Sequence, residues 1–270
     1  MDVYLQEYSA EDAVARYTSR TAGTGIHYLL ENDYAEVYIS AIRDFLKTPS
    51  NAPLRLLEFG CGGGMNIISL LALLERGGRS IELAIGTDFS ERLILAAKGE
   101  SRNLLSAAQQ EKMHFVVARN ETIAADLRQT LDVSAGELDN SFDVILGINT
   151  FRYCHRLGNA RECARDLATL LAPGGICIMI DMNRRFPAFR SRFRDWKTKP
   201  DAERYLPSLD EYAAPFEEIG LEVLRKENFC WIPHSAEVWL TRFCRLLTPA
   251  LNLFAKPMAM RSLVVSRKRA

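Results

Sequence analysis

An apolar run, LRLLEF, passes without a break into GCGGG at positions 60–64 and then into MNIISLLALLERG. A buried strand, a glycine turn and the first turn of a helix are joined in that order, which commits this part of the chain to an α/β unit. Glycines let the backbone approach a ligand without interference from Cβ, and the new helix presents N–H groups that have no partner within it. The turn is therefore a place to hold a nucleotide-like ligand against main chain. A dinucleotide fingerprint needs a third glycine where Met65 stands, and the GxxxxGK[ST] pattern of a phosphate loop is absent.

The same alternation continues on both sides of the turn. Spacing of apolar residues predicts a helix over 31–46, strands over 54–59 and up to Asp88, a helix over 90–110, a strand over 113–118 and a helix over 121–131. A strand over 142–148 follows, then a helix over 159–171 stopped by APGG at 172–175, and a strand over 176–180 ending at Asp181. Beyond lie a helix near 209–219, a strand near 221–229, a helix over 235–254 and a last strand over 262–266. Apolar strands alternating with helices predict an α/β fold, a Rossmann-like open and mostly parallel sheet with helices on both faces and a helical lid insertion. Its ligand belongs outside the carboxyl ends of the strands. The expected organisation is an N-terminal helical cap and lead-in helix over 1–53 and a core over 54–270. That core carries a lid insertion at about 182–215 and a C-terminal helical insertion at about 235–256.

Composition narrows the partners. With 48% hydrophobic residues among 270, the chain can bury a sizeable core. Lys+Arg and Asp+Glu both number 34, so no whole-chain field gathers nucleic acid. Six cysteines stand without a CxxC pair, and the four histidines form no metal-ligand spacing with one another. The opening residues carry acids where a secretory leader has a basic head, and no run approaches the roughly 20 apolar residues that span a bilayer. A cytoplasmic protein with no metal is the expectation.

Four segments, LLEFGCGGG, IGTDFS, FDVILGINTFRY and LLAPGG, stand in an order that resembles the class I S-adenosylmethionine-dependent methyltransferase family. The resemblance covers roughly residues 54–180 and implies S-adenosylmethionine as cofactor. It implies that Glu58, Gly60, Cys61 and Gly62 frame the methionine portion and that Asp88 accepts the ribose hydroxyls. The chemistry of Asp88 agrees, since a carboxylate at a strand's end can accept two hydroxyl donors. Where the family commonly places an acid beside the adenine amino group, this chain reads ARNET, leaving Asn120 to accept through its amide oxygen. The resemblance also sets Asn149, Tyr153 and His155 beside the methyl donor and the acceptor, with His155 as candidate general base. The N-terminal segment, with His27 and Tyr28, is expected to fold over the cofactor.

Two further segments bear on the acceptor. Arg190 and Arg194 fall at i,i+4 beside Phe189 and Phe193, a spacing that on a helix pairs an anionic substrate group with a nonpolar body. From Arg242 onward the chain has basic residues and no acids, among Trp239, Phe243, Leu246 and Phe254, so peripheral contact with anionic lipid or a homodimer contact is expected there. The expected function is methyl transfer to a small or medium-sized organic acceptor, aromatic or lipid-like, with oxygen, nitrogen and carbon all open. Two alternatives are an RNA methyltransferase guided by the Arg/Phe insertion, disfavoured by the balanced charge, and a noncatalytic S-adenosylmethionine-binding scaffold protein.

Overall fold

The computed structural model describes residues 15, 17, 18, 24–132, 134–189 and 205–269. Seven strands form one sheet: β1 (Leu54–Phe59), β2 (Ile81–Asp88), β3 (Met113–Val117), β4 (Phe142–Ile148), β5 (Leu171–Met182), β6 (Glu222–Phe229) and β7 (Arg261–Arg267). Their order is β3-β2-β1-β4-β5-β7-β6. The first five run parallel, and β7 lies antiparallel between β5 and β6. Because β7 runs backwards, its first residue, Arg261, pairs with Met182 at the end of β5. The start of β7 thus shares an edge with the carboxyl ends of β1, β2, β4 and β5.

Both faces of the sheet are covered, as buried parallel strands require. On one face, α1 (Thr24–Glu31), α2 (Asp33–Phe45), α3 (Met65–Arg76) and α4 (Glu91–Leu104) pack Leu29, Tyr34, Tyr38, Leu70 and Ile94 against Leu56, Val144, Ile178 and Val265. After the short α5 (Ala107–Gln110), the other face is covered by α6 (Ile123–Leu131), α8 (Phe151–Leu157), α9 (Ala160–Leu170) and α10 (Leu209–Glu218), with α7 (Ala135–Leu138) as a single turn beside them. There Leu127, Phe151, Leu167, Tyr212 and Phe216 meet Leu57, Ile145, Cys177 and Val264. Alternate strand residues serve opposite faces, as the period of two demands.

The structure redraws several expected boundaries for local reasons. The helix expected over 31–46 starts at Asp33, because Asn32 leaves helical geometry (φ −128°, ψ −89°) and separates it from α1. The stretch 90–110 holds two helices, since Ser106 opens α5 with a capping box closed by Gln109. APGG at 172–175 is not a connection but a bulge inside β5, whose register steps from Phe142↔Leu171 to Val144↔Ile176. The lid residues Arg190 and Arg194 lie outside the described residues. The last helix, α11 (Val238–Ala255), packs along α1 and leaves Trp239, Leu246 and Phe254 65%, 78% and 83% exposed. Among the described residues no helix is long and apolar enough to cross a membrane.

Candidate active site

The strand–turn–helix of β1 and α3 forms a cradle at the carboxyl edge of the sheet. Gly60 has φ 61°, and a Cβ there would stand 2.1 Å from Thr150 Oγ1, just past the end of β4. Gly63 is as constrained from the other side: a Cβ would stand 1.9 Å from the carbonyl oxygen of Tyr17. Residues 17 and 18 therefore cross the glycine turn, and no side chain larger than hydrogen fits beneath them.

Two carboxylates hold this turn. Asp88 is 5% exposed; its Oδ2 accepts from the Gly62 N–H at 2.9 Å and its Oδ1 from the Ser90 N–H at 2.9 Å. Burial pushes its carboxyl up to about 6 against the pull of those two N–H donors. Each oxygen keeps a lone pair for another donor, such as a hydroxyl. Glu58, wholly buried beneath the turn, accepts the Ile67 N–H through Oε2 at 3.0 Å, while Oε1 has no partner at good hydrogen-bond geometry, the Asn66 amide acting on the carboxyl from nearby. Burial raises it to about 8, opposed by the Ile67 N–H and the Asn66 amide, with the charge of Asp88 adding to the rise. Two acids and an unanswered buried oxygen suit a ligand that carries positive charge. The Cys61 thiol is buried and pushed well upward by that burial, so it is a neutral wall here.

Asn120 sits on the far side of Thr150. Its Nδ2 donates to Thr150 Oγ1 at 3.0 Å, and its Oδ1 is buried with no hydrogen bond. An amide oxygen left open in that position suits an amino donor.

A second group of polar side chains lies along the same edge, toward β5 and β7. Asn149 takes a left-handed conformation (φ 57°), gives its N–H to the Ile180 carbonyl at 2.7 Å, and accepts Arg261 Nη1 on Oδ1 at 3.1 Å. Tyr34 Oη and His234 Nε2 share a hydrogen bond of 2.8 Å. Burial first, then the Arg261 charge, hold His234 well below the ordinary imidazole range. On the opposite face, Arg152 donates from its backbone N–H and Nη1 to Asp181, and from Nη2 to Tyr153 Oη at 2.8 Å.

The residues expected from sequence divide into three sets. Glu58, Gly60, Cys61, Gly62, Asp88, Asn120 and Asn149 come together around the turn. Tyr153 stands nearby, tied to the Arg152–Asp181 pair. The rest are placed elsewhere: His27 is exposed, and Tyr28 packs under the Arg245 guanidinium 4.8 Å from its ring centre. The His155 ring stacks on Tyr212 at 5.8 Å and meets Phe151 edge-on, so it belongs to the aromatic packing between α8 and α10. Burial lowers it from the usual imidazole value. Sequence reasoning missed Tyr34, His234 and Arg261 as one group. They come from three elements far apart in the chain, and no spacing links them.

A glycine cradle braced by a carboxylate at the end of β2 stands at the carboxyl edge of an open, mostly parallel sheet of the Rossmann-like methyltransferase fold. The chain belongs to the methyltransferase-domain family, whose pattern matches residues 30–226. It is 29% identical over 135 residues to the citrinin polyketide synthase of Monascus ruber, covering 50% of this chain and 4% of that protein. It is 31% identical over 150 residues to 3-methylorcinaldehyde synthase of Talaromyces stipitatus, covering 54% of this chain and 5% of that one. The chain thus matches only a small part of the length of these relatives. Among solved structures, the CurJ carbon methyltransferase superposes with a TM-score of 0.58 at 17% identity, over 96% of this chain and 58% of that one, a likeness of fold.

Proposed function

We propose that this chain transfers the methyl group of S-adenosylmethionine to an acidic carbon of a small or medium-sized, carbonyl-rich organic acceptor of polyketide type. The observation that carries the donor half is the buried, unanswered Oε1 of Glu58 beneath a glycine cradle that Asp88 clamps from the other side. In this reading Glu58, Gly60, Cys61 and Gly62 hold the methionine portion, Asp88 takes the ribose hydroxyls and Asn120 Oδ1 takes the adenine amino group. The bound cofactor supplies a methyl group activated on a sulfonium, so the protein's own work is to align the acceptor and exclude water. The citrinin polyketide synthase among the relatives supports the acceptor half.

Two histidines stand as candidate bases. Both are half-buried, but His155 stacks on Tyr212 between α8 and α10, whereas His234 is paired with the Tyr34 hydroxyl on the face that carries the cradle. We assign the proton-accepting role to the His234–Tyr34 pair. The expected lipid or homodimer contact has its candidate surface on the exposed side of α11.

The test is incubation with isotopically methyl-labelled cofactor and a panel of 1,3-dicarbonyl compounds, phenols, anionic vesicles and RNA. Label recovered on carbon of a dicarbonyl compound is the expected result. Label in RNA alone, or cofactor binding with no transfer to any acceptor, would replace this reading with the RNA or scaffold alternative.

A further inference from the structure

Arg261 is 3% exposed, and its guanidinium is answered by a single side-chain hydrogen bond, to the neutral Asn149 amide at 3.1 Å. Its Nε is buried with no partner at all. A guanidinium offers five N–H donors, and a buried charge left uncompensated is costly unless something anionic meets it. Among the described residues no carboxylate lies within ion-pair distance of it. Its neighbours are neutral as well: burial pushes Tyr34 upward, Cys230 up to about 12 and His234 well down.

Strand alternation explains why none of the described acids at the end of β5 reaches it. Arg261 lies on the face of Leu263 and Val265, with α1 and α2, whereas Asp181 ends β5 on the other face, committed to Arg152. Among the described acids on the side of Arg261, Asp33 lies near Cys230 and Arg245, Glu58 accepts the Ile67 N–H, Asp88 accepts the Gly62 and Ser90 N–H groups, and Glu227, opposite Leu263, pairs with Arg225 and Lys256. By contrast, Arg152 in a similarly buried place has its carboxylate. The geometry also fixes which site Arg261 serves. It spans from the first residue of β7 across the end of β5 to Asn149, the residue before Thr150, and Thr150 touches the glycine turn. Asn149 itself is only half-buried, so the pair has an open side.

We propose that Arg261 and Asn149 form a binding site for an anionic oxygen of the acceptor, holding as enolate or phenolate the substrate whose proton the His234–Tyr34 pair accepts. This deepens the proposed function and rests on its placement of the acceptor. An acceptor bound in this way carries its negative charge in conjugation with the atom to be methylated. Neutral analogues lacking the ionisable oxygen leave the guanidinium unanswered and bind poorly.

The probes are 4-nitrophenol and its neutral analogue nitrobenzene, titrated into the full chain in buffer acidic enough that free 4-nitrophenol is un-ionised. The absorption band of the phenolate reports the ionised form directly. The wild-type protein is expected to bind the phenolate with at least ~10-fold preference over nitrobenzene, the scale of a charge-assisted hydrogen bond. Arg261→Met should abolish that preference. Asn149→Asp, which suits the left-handed backbone and sets a carboxylate beside Arg261, should raise Tm and also abolish it. This second variant keeps the test decisive if Arg261→Met does not fold. Equal affinity for the two probes, absence of the phenolate band up to the solubility limit, or an Asn149→Asp protein that binds phenolate as wild type does would overturn the proposal. Calorimetric titration with S-adenosylhomocysteine runs beside it. Loss of that heat with the phenolate band intact would condemn the donor site, not Arg261.

Discussion

Glu58 and Asp88 make the donor site a titrating one. A carboxyl raised on folding, from 4.5 to about 8 for Glu58 and from 3.8 to about 6 for Asp88, holds its proton more tightly in the folded chain. Its contribution to stability is therefore complete below the unfolded pKa and is lost as pH rises through the folded value. The ligand-free protein is expected to lose stability between about pH 3.8 and 8, over 3.8 to about 6 for Asp88 and 4.5 to about 8 for Glu58, with a slope of up to about 1.4 kcal/mol per pH unit for each group. Glu58→Gln should flatten the upper part of that slope, read by thermal unfolding across a pH series. A positively charged donor favours the ionised carboxylate, so its affinity should rise toward pH 8 and lose that rise in the same variant. His155 offers a contrast: His155→Ala removes a ring from an aromatic stack and should cost about 1–3 kcal/mol. We expect His155→Phe to restore stability and leave methyl transfer intact, whereas His234→Gln should slow transfer at least ~10-fold with unchanged donor affinity. Transfer abolished by His155→Phe would return the base role to His155.

Elements were legible in the sequence wherever one force dominated. The strands β1, β2 and β4 are apolar runs, β1 set between Pro53 and Gly60 and β4 stopped at Asn149, and their positions agree with the periodicity to within a residue. Breaks inside helical patterns were not legible, because Asn32 and Ser106 act through backbone geometry and capping that a hydrophobic period does not register. The antiparallel β7 was placed as a strand, but nothing in its own residues says that it enters between β5 and β6. That insertion is what delivers Arg261 to Asn149, so half of the acceptor edge depends on topology. The donor half was legible because strand, turn and helix are contiguous, and Asp88 follows one crossover later. Gly63 tests how the residues around Tyr17 and the turn depend on each other. Gly63→Ala drives a Cβ into the Tyr17 carbonyl and should free this strap, raising cleavage near it in limited proteolysis and weakening donor binding. An unchanged cleavage pattern would show that the strap does not depend on the turn.

For the whole molecule, the sheet divides labour between its faces at one edge. The face with α1 to α4 carries the cradle, the His234–Tyr34 pair and Arg261, while the opposite face seals itself with the Arg152–Asp181 pair and the aromatic stack of α8 and α10. The α11 helix stands outside that division. Leu246→Asp, on a side chain 78% exposed, should change stability by no more than ~0.5 kcal/mol, checked by urea unfolding. The account as a whole stands on the donor cradle. Calorimetric titration of S-adenosylmethionine into wild-type protein and Asp88→Ala tests it most directly. Saturable binding by the wild type, weakened at least ~10-fold (about 1.4 kcal/mol) in a variant that still unfolds cooperatively, is the predicted result. Equal affinity in the two folded proteins, or no binding by the wild type, would contradict it.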